Sequence, residues 1–145
     1  MENTAVLVLD RRYAEEIIAH AREEAPNECC GIIAGQDGRP VKLFRAVNAE
    51  ASPYRYNVDS QDLFRINKEI EGNGWDFLAI YHSHIAAEAY PSPTDIRLAA
   101  WPEAYCLIIS LADQADPMLR AFHIRDGRVS EEELEIVAPT QSAHE

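Results

Sequence analysis

The apolar run Trp75-Asp76-Phe77-Leu78-Ala79-Ile80-Tyr81 ends in His82-Ser83-His84, and no other stretch constrains the chain as much. Trp75 to His84 reads as a strand. Residues two apart on a strand point to the same side, so His82 and His84 aim two imidazoles at one point. That point lies where the strand leaves the core, in a rimmed cleft rather than the interior. Ile85 to Pro91 is a loop, and Ser92-Pro93-Thr94-Asp95 opens a helix. Pro takes the first helical position and the acid stands three after the serine. Asp95 can then add a carboxylate to the two imidazoles. Two His and one carboxylate leave a fourth tetrahedral position open, as in a catalytic rather than a structural zinc site. Each piece also has a purely structural reading. His-x-His is common in strands, and Ser92 with Asp95 forms an ordinary helix cap. The two sets of roles are compatible.

The rest of the chain supplies short elements separated by turn residues. Ala5 to Leu9 is an apolar strand. Asp10 caps a helix that turns Ala14, Ile17, Ile18, Ala21 and Ala25 inward and ends at Pro26-Asn27. His20 on that helix is expected to be solvated or to face the helix dipole. Glu28 leads an apolar strand, Cys29 to Gly35, and Val41 to Val47 returns as its hairpin partner. Asn48 to Pro53 is loop, and Tyr54 to Val58 alternates as a short strand. Asp59 or Ser60 caps a second helix with Leu63, Phe64, Ile66 and Ile70 inward, stopped by Gly72-Asn73-Gly74. The helix after Ser92 is short, because Pro102 stops it. Tyr105–Leu111, Met118–Ile124 and a segment near Val129 are the remaining strands, with a structural role expected for His123. Hairpins outnumber βαβ crossovers. The expected class is α+β, a single domain over residues 1–137 with a mixed, mostly antiparallel curved sheet flanked by helices. Residues 138–145 read as a frayed tail.

Composition narrows the function. The chain has 25 acidic residues against 13 Lys and Arg, a net charge of −12. Such a surface repels phosphate backbones, so no nucleic-acid partner is expected. No run of ~18 apolar residues marks a membrane span, and the first residues lack a signal-peptide pattern. A cytoplasmic protein is expected, its oligomeric state left open. Cys29, Cys30 and Cys106 are odd in number and have no Cys-x-x-Cys spacing. They read as small buried hydrophobes, with a Cys30–Cys106 contact left open.

His82-x-His84, seven further residues and Ser92-x-x-Asp95, together with Glu28 at the head of an upstream apolar strand, resemble the signature of the JAMM (MPN+) zinc metalloproteases. The likeness spans essentially the whole chain. It implies that His82, His84 and Asp95 bind one catalytic Zn2+. It implies that Glu28 holds the attacking water as general base and that Ser92 donates a hydrogen bond to the oxyanion. Eukaryotic deubiquitinases of the family commonly have Pro-Gly after the second histidine; here Ile85-Ala86 stand there. The loop Ile85–Pro91 and the segment Asn48–Pro53 instead resemble the compact prokaryotic branch, which includes Mec-type peptidases that free cysteine from a sulfur-carrier protein. That resemblance implies a ubiquitin-like sulfur-carrier partner ending in Gly-Gly, carrying cysteine or another amine. The alternatives are an isopeptidase acting on lysine-linked ubiquitin-like proteins and a non-catalytic MPN scaffold. An extended Gly-Gly tail can add as a strand to a sheet edge. Asn48 to Tyr56 is the candidate edge, and an ordinary surface loop is the other reading of the same segment.

Overall fold

The structure, a computed structural model, describes residues 6–138. Ala5 and the tail over 139–145 lie outside the described residues. The elements run β1 (Val6–Asp10), α1 (Arg11–Glu24), β2 (Cys30–Gln36), β3 (Arg39–Ala46), α2 (Ser60–Gly72), β4 (Asp76–His84), α3 (Pro93–Leu98), β5 (Tyr105–Ser110), β6 (Met118–Arg125) and β7 (Arg128–Val137). All seven strands join one sheet in the order β1-β7-β6-β5-β4-β2-β3. The pairings β1–β7 and β4–β5 are parallel and the other four antiparallel. The sheet is therefore mixed and mostly antiparallel, as expected. It curves until its two edges approach: Arg39 at the start of β3 reaches Asp10 at the end of β1, 3.4 Å away.

The alternation of β4 divides the molecule. From Ala79 onward, Ala79 and Tyr81 face the cluster that α1 covers with Tyr13, Ile17 and Ala21. Ile80 faces the opposite cluster, where α2 contributes Ile66 and Ile70. His82 and His84 share the parity of Ile80 and so lie on the α2 side. On that side β5 and β6 add a small apolar group, Cys106, Ile108, Phe122 and Ile124, against which Ile96 of α3 packs.

The β4–β5 pairing positions the site. Parallel neighbours need a crossover, and here it runs through the loop 85–92 and α3. The crossover carries the first turn of α3 back over the carboxyl end of β4. Ser110 and Leu111 tie that passage down. Ser110 Oγ donates to the Ala87 carbonyl at 2.6 Å, and Leu111 N–H donates to the His84 carbonyl at 2.9 Å.

Several expectations change. The buried face of α1 includes Tyr13 and His20 and excludes Ala25. His20 is only 3% exposed, and its Nδ1 lies 2.8 Å from the Tyr81 hydroxyl. It is thus a core hydrogen-bonding group rather than a solvated one. Asp10 stands at the N-cap of α1 but makes no side-chain cap; its carboxylate turns to Arg39 and Arg12. Phe64 is 69% exposed, because it sits a residue off the Leu63, Ile66, Ile70 stripe. Tyr54 to Val58 is not a strand. A single bridge joins Asn48 to Val58, and the Asn48 side chain takes the Asn57 N–H that a ladder would use. All three cysteines are buried and free, with Cys30 and Cys106 in separate apolar clusters. Burial pushes each thiol up to about 12. His123 is buried with Nδ1 2.7 Å from Glu132 Oε2, a structural pair as expected.

Gly31 lies opposite Tyr81 in the β2–β4 register, and the Tyr81 ring fills the space a Cβ on Gly31 would need. Gly72, at the end of α2, has no atom within contact of such a Cβ. Gly31→Ala should cost ~1–3 kcal/mol by overpacking, whereas Gly72→Ala should be neutral or stabilise by ~0.4–1 kcal/mol. Urea unfolding of the two variants checks the contrast.

Candidate active site

The site begins with Asp95. Ser92 Oγ accepts the Asp95 N–H at 3.0 Å, and Asp95 Oδ2 accepts the Ser92 N–H at 2.9 Å, completing a capping box. The same Oδ2 stands 3.1 Å from His82 Nε2 and 3.0 Å from His84 Nε2. The two Nε2 atoms are 3.3 Å apart. Three potential ligand atoms therefore converge from one strand and one helix N-terminus.

Neighbouring groups fix the imidazoles. His84 Nδ1 lies 2.7 Å from the Glu88 carbonyl, so Nδ1–H donates there and the Nε2 lone pair is turned to the cluster. The His82 ring stacks under Tyr56 with centroids 4.3 Å apart and planes at 19°. On the other face of β4, Ser83 Oγ accepts the Cys29 N–H at 2.7 Å, binding the residue after Glu28 to the segment between the histidines. Glu28 precedes β2 and is 3% exposed. Its N–H donates to the Ser52 carbonyl at 2.8 Å, and its own carbonyl accepts from Asn48 Nδ2 at 3.0 Å.

The electrostatics suit a cation. Burial pushes the Glu28 carboxyl up to about 8; His84 opposes the shift and Asp95 reinforces it. Burial also opposes charge on Asp95, but the hydrogen bonds with His82 and His84 outweigh it and hold the carboxyl far below the usual range. Burial lowers His82, which favours the neutral imidazole a metal needs. Burial pulls His84 down too, but the Asp95 and Glu88 hydrogen bonds win and raise it.

The residues fit a metal ion. Two imidazole nitrogens and a carboxylate oxygen form a suitable donor set for zinc, whose bonds of ~2.0–2.1 Å in tetrahedral geometry separate ligand atoms by about 3.3 Å. The observed separations of 3.0, 3.1 and 3.3 Å lie near that value. His82, His84 and Asp95 are the group among the described residues able to hold a metal in this way. Glu28 Oε1 is buried without a hydrogen-bond partner, as is His82 Nδ1. An orphaned carboxylate oxygen is costly unless something polar meets it. A groove of about 340 Å³ runs away from Asp95 between Arg55–Val58 and the stretch Leu98–Trp101.

Sequence reasoning placed His82, His84, Ser92, Asp95 and Glu28 as candidates, and the first four meet directly. Glu28 joins them through burial and charge. It missed Tyr56 as the cover of His82 and the Glu88 carbonyl as the partner of His84. A main-chain acceptor leaves no mark in composition. Sequence reasoning also missed Ser83, which strand parity could have marked as pointing away from the face its neighbours share. Among the described residues, no helix is long and apolar enough to cross a membrane.

Comparison with known proteins agrees with the geometry. The CysO-cysteine peptidase of Mycobacterium tuberculosis is 40% identical over 134 residues, 91% of this chain and 92% of the relative. The desampylase of Haloferax volcanii is 38% identical over 103 residues, 66% of this chain and 74% of the relative. The solution structure of a protein from Desulfitobacterium hafniense superposes with a TM-score of 0.84 at 35% identity, covering 97% of both chains. Residues 10–125 match the family described as prokaryotic homologs of the JAB domain. With that match on the seven-stranded sheet and the His-His-Asp cluster, the chain belongs to the JAB/MPN family, in its prokaryotic branch.

Proposed function

We propose that this protein is a zinc-dependent peptidase that hydrolyses the bond after the C-terminal Gly-Gly of a ubiquitin-like sulfur-carrier protein, releasing cysteine or another amine. The observation that carries the reading is the convergence of His82 Nε2, His84 Nε2 and Asp95 Oδ2 beside a buried carboxyl, Glu28, with an unpartnered Oε1. The name of the mycobacterial relative supports the class of substrate.

His82, His84 and Asp95 would hold the ion. When bound, zinc supplies a Lewis acid able to lower the pKa of water from ~15.7 to about 7. Glu28 takes the proton of the attacking water on its free Oε1 and hands it to the departing amine. Ser92 Oγ already accepts the Asp95 N–H, which leaves its own hydroxyl hydrogen to donate to the oxyanion forming on the glycine carbonyl. The open groove beside Asp95 admits an extended, nearly side-chain-free tail. The acidic surface favours a partner with neutral or basic patches.

A second reading keeps the chemistry and changes the amine. The archaeal relative's name, desampylase, favours it. In that case the leaving group is a lysine side chain. A matched pair of substrates, one carrier joined to cysteine and the same carrier joined to a lysine Nε, separates the two. Zinc-dependent release of cysteine is expected, and its absence with brisk cleavage of the isopeptide transfers the assignment.

Three variants test the roles. His84→Ala should purify with far less than the one zinc per chain expected of the wild type, and tight stoichiometric binding contradicts the ligand assignment. Glu28→Gln should keep its zinc and lose ~10²–10⁴ in kcat, the usual worth of a general base. Ser92→Ala should lose ~10²–10³ in kcat as an oxyanion donor, together with ~1 kcal/mol of stability as a lost cap; steady-state kinetics and thermal unfolding read the two effects separately.

A further inference from the structure

Asn48 follows β3 and opens the loop that crosses in front of the site. Its carboxamide is fully used. Nδ2 donates to the Glu28 carbonyl at 3.0 Å and to the Arg55 carbonyl at 3.1 Å. Oδ1 accepts the Glu50 and Asn57 N–H groups, each at 3.0 Å. An amide offers two N–H donors and two lone pairs, so no capacity is left over. The partners fall in three places. One is the main chain of Glu28. Two others, Arg55 and Asn57, flank Tyr56, whose ring lies on His82, and Glu50 closes the turn after Asn48 itself.

Both of Glu28's own main-chain groups bond to this loop. Its carbonyl accepts from Asn48 and its N–H donates to Ser52, while β4 holds only the next residue, Cys29, through Ser83. The base and the ring covering a metal-binding imidazole thus hang from one side chain that touches neither reacting atoms nor ligands. We infer that Asn48 is a positioning residue of the active site, fixing the Glu28 carboxyl and the Tyr56–His82 stack relative to each other. The inference rests on the reading of Glu28 as the general base.

The chemistry of the side chain suggests a selective substitution. Asn48→Asp keeps an oxygen for the Glu50 and Asn57 N–H groups but replaces the donor with an oxygen that faces two carbonyls. It should therefore spare the loop's internal turn while pushing the Glu28 main chain away. A role confined to stability would lower the melting temperature and leave the kinetics of the folded enzyme alone. A positioning role lowers kcat in protein that is folded and loaded.

The test uses the zinc-loaded full chain and the carrier–cysteine substrate, with metal content and melting temperature measured on each sample. Asn48→Asp is expected to keep one zinc per chain and an unchanged KM while kcat falls ~10–100-fold, the order of loss that a small misplacement of a catalytic group causes. An unchanged kcat overturns the inference, as does a loss matched by an equal loss of zinc. Should the variant fail to fold, the wild type decides by NMR. The Asn48 side-chain NH2 protons are expected to be protected from solvent exchange, and rapid exchange overturns the inference. Wild type that leaves the substrate intact overturns the functional reading itself. Wild type that cleaves while Asn48→Asp cleaves equally fast overturns only the role of Asn48.

Discussion

One carboxylate oxygen holds the site together. Asp95 Oδ2 accepts the Ser92 N–H that starts α3 and stands within 3.1 Å of both imidazole Nε2 atoms. A buried carboxylate is expensive unless it is paired and hydrogen-bonded. Here the pairing that lowers the cost is also the pairing that assembles the cluster. Helix capping and the geometry of the His-His-Asp cluster are consequently one arrangement. Changing the cap moves the Asp95 carboxylate, and changing that carboxylate undoes the cap. The arrangement exists because β4 and β5 are parallel, so the chain must cross over and return a helix N-terminus to the end of the histidine strand.

The opposite face of the same strand supplies rigidity. Tyr81 reaches across Gly31 to His20, and Ser83 fastens the residue after Glu28. Both contacts lie behind the sheet as seen from the cluster. They set where Glu28 stands relative to the histidines without entering the cleft. The loop 48–58 completes the frame from the front.

The fold class and most elements could be read from the sequence because their causes are local. An apolar run ending in His-x-His marks β4, alternation marks β6, turn residues mark the β2–β3 hairpin, and Ser92-Pro93-Thr94-Asp95 marks the start of α3. The readings that failed concern contacts between distant segments. Residues 54–58 alternate like a strand, but the Asn48 side chain, from six or more residues earlier, takes the hydrogen bond a ladder needs. His20 looks like a surface residue on its own helix until Tyr81, sixty-one positions away, supplies a buried partner. Phe64 looks like core by type and lies one residue off the buried stripe. At the site, the cluster atoms were legible as residue types at fixed spacing, whereas the carbonyl that orients His84 has no side chain to announce it.

The alternation along β4 from Ala79 onward has an evolutionary consequence. The residues facing α1 sustain the core, and His82 and His84 on the other face include a buried nitrogen with no partner. Replacing a buried polar cluster with well-packed apolar side chains is often neutral or stabilising. Substituting those two positions would leave the α1 side of the sheet intact. A stable but chemically silent descendant of this chain is therefore only a few substitutions away, and selection for stability alone would drift toward it. Keeping two histidines at the end of a hydrophobic strand requires continuous selection for what they do.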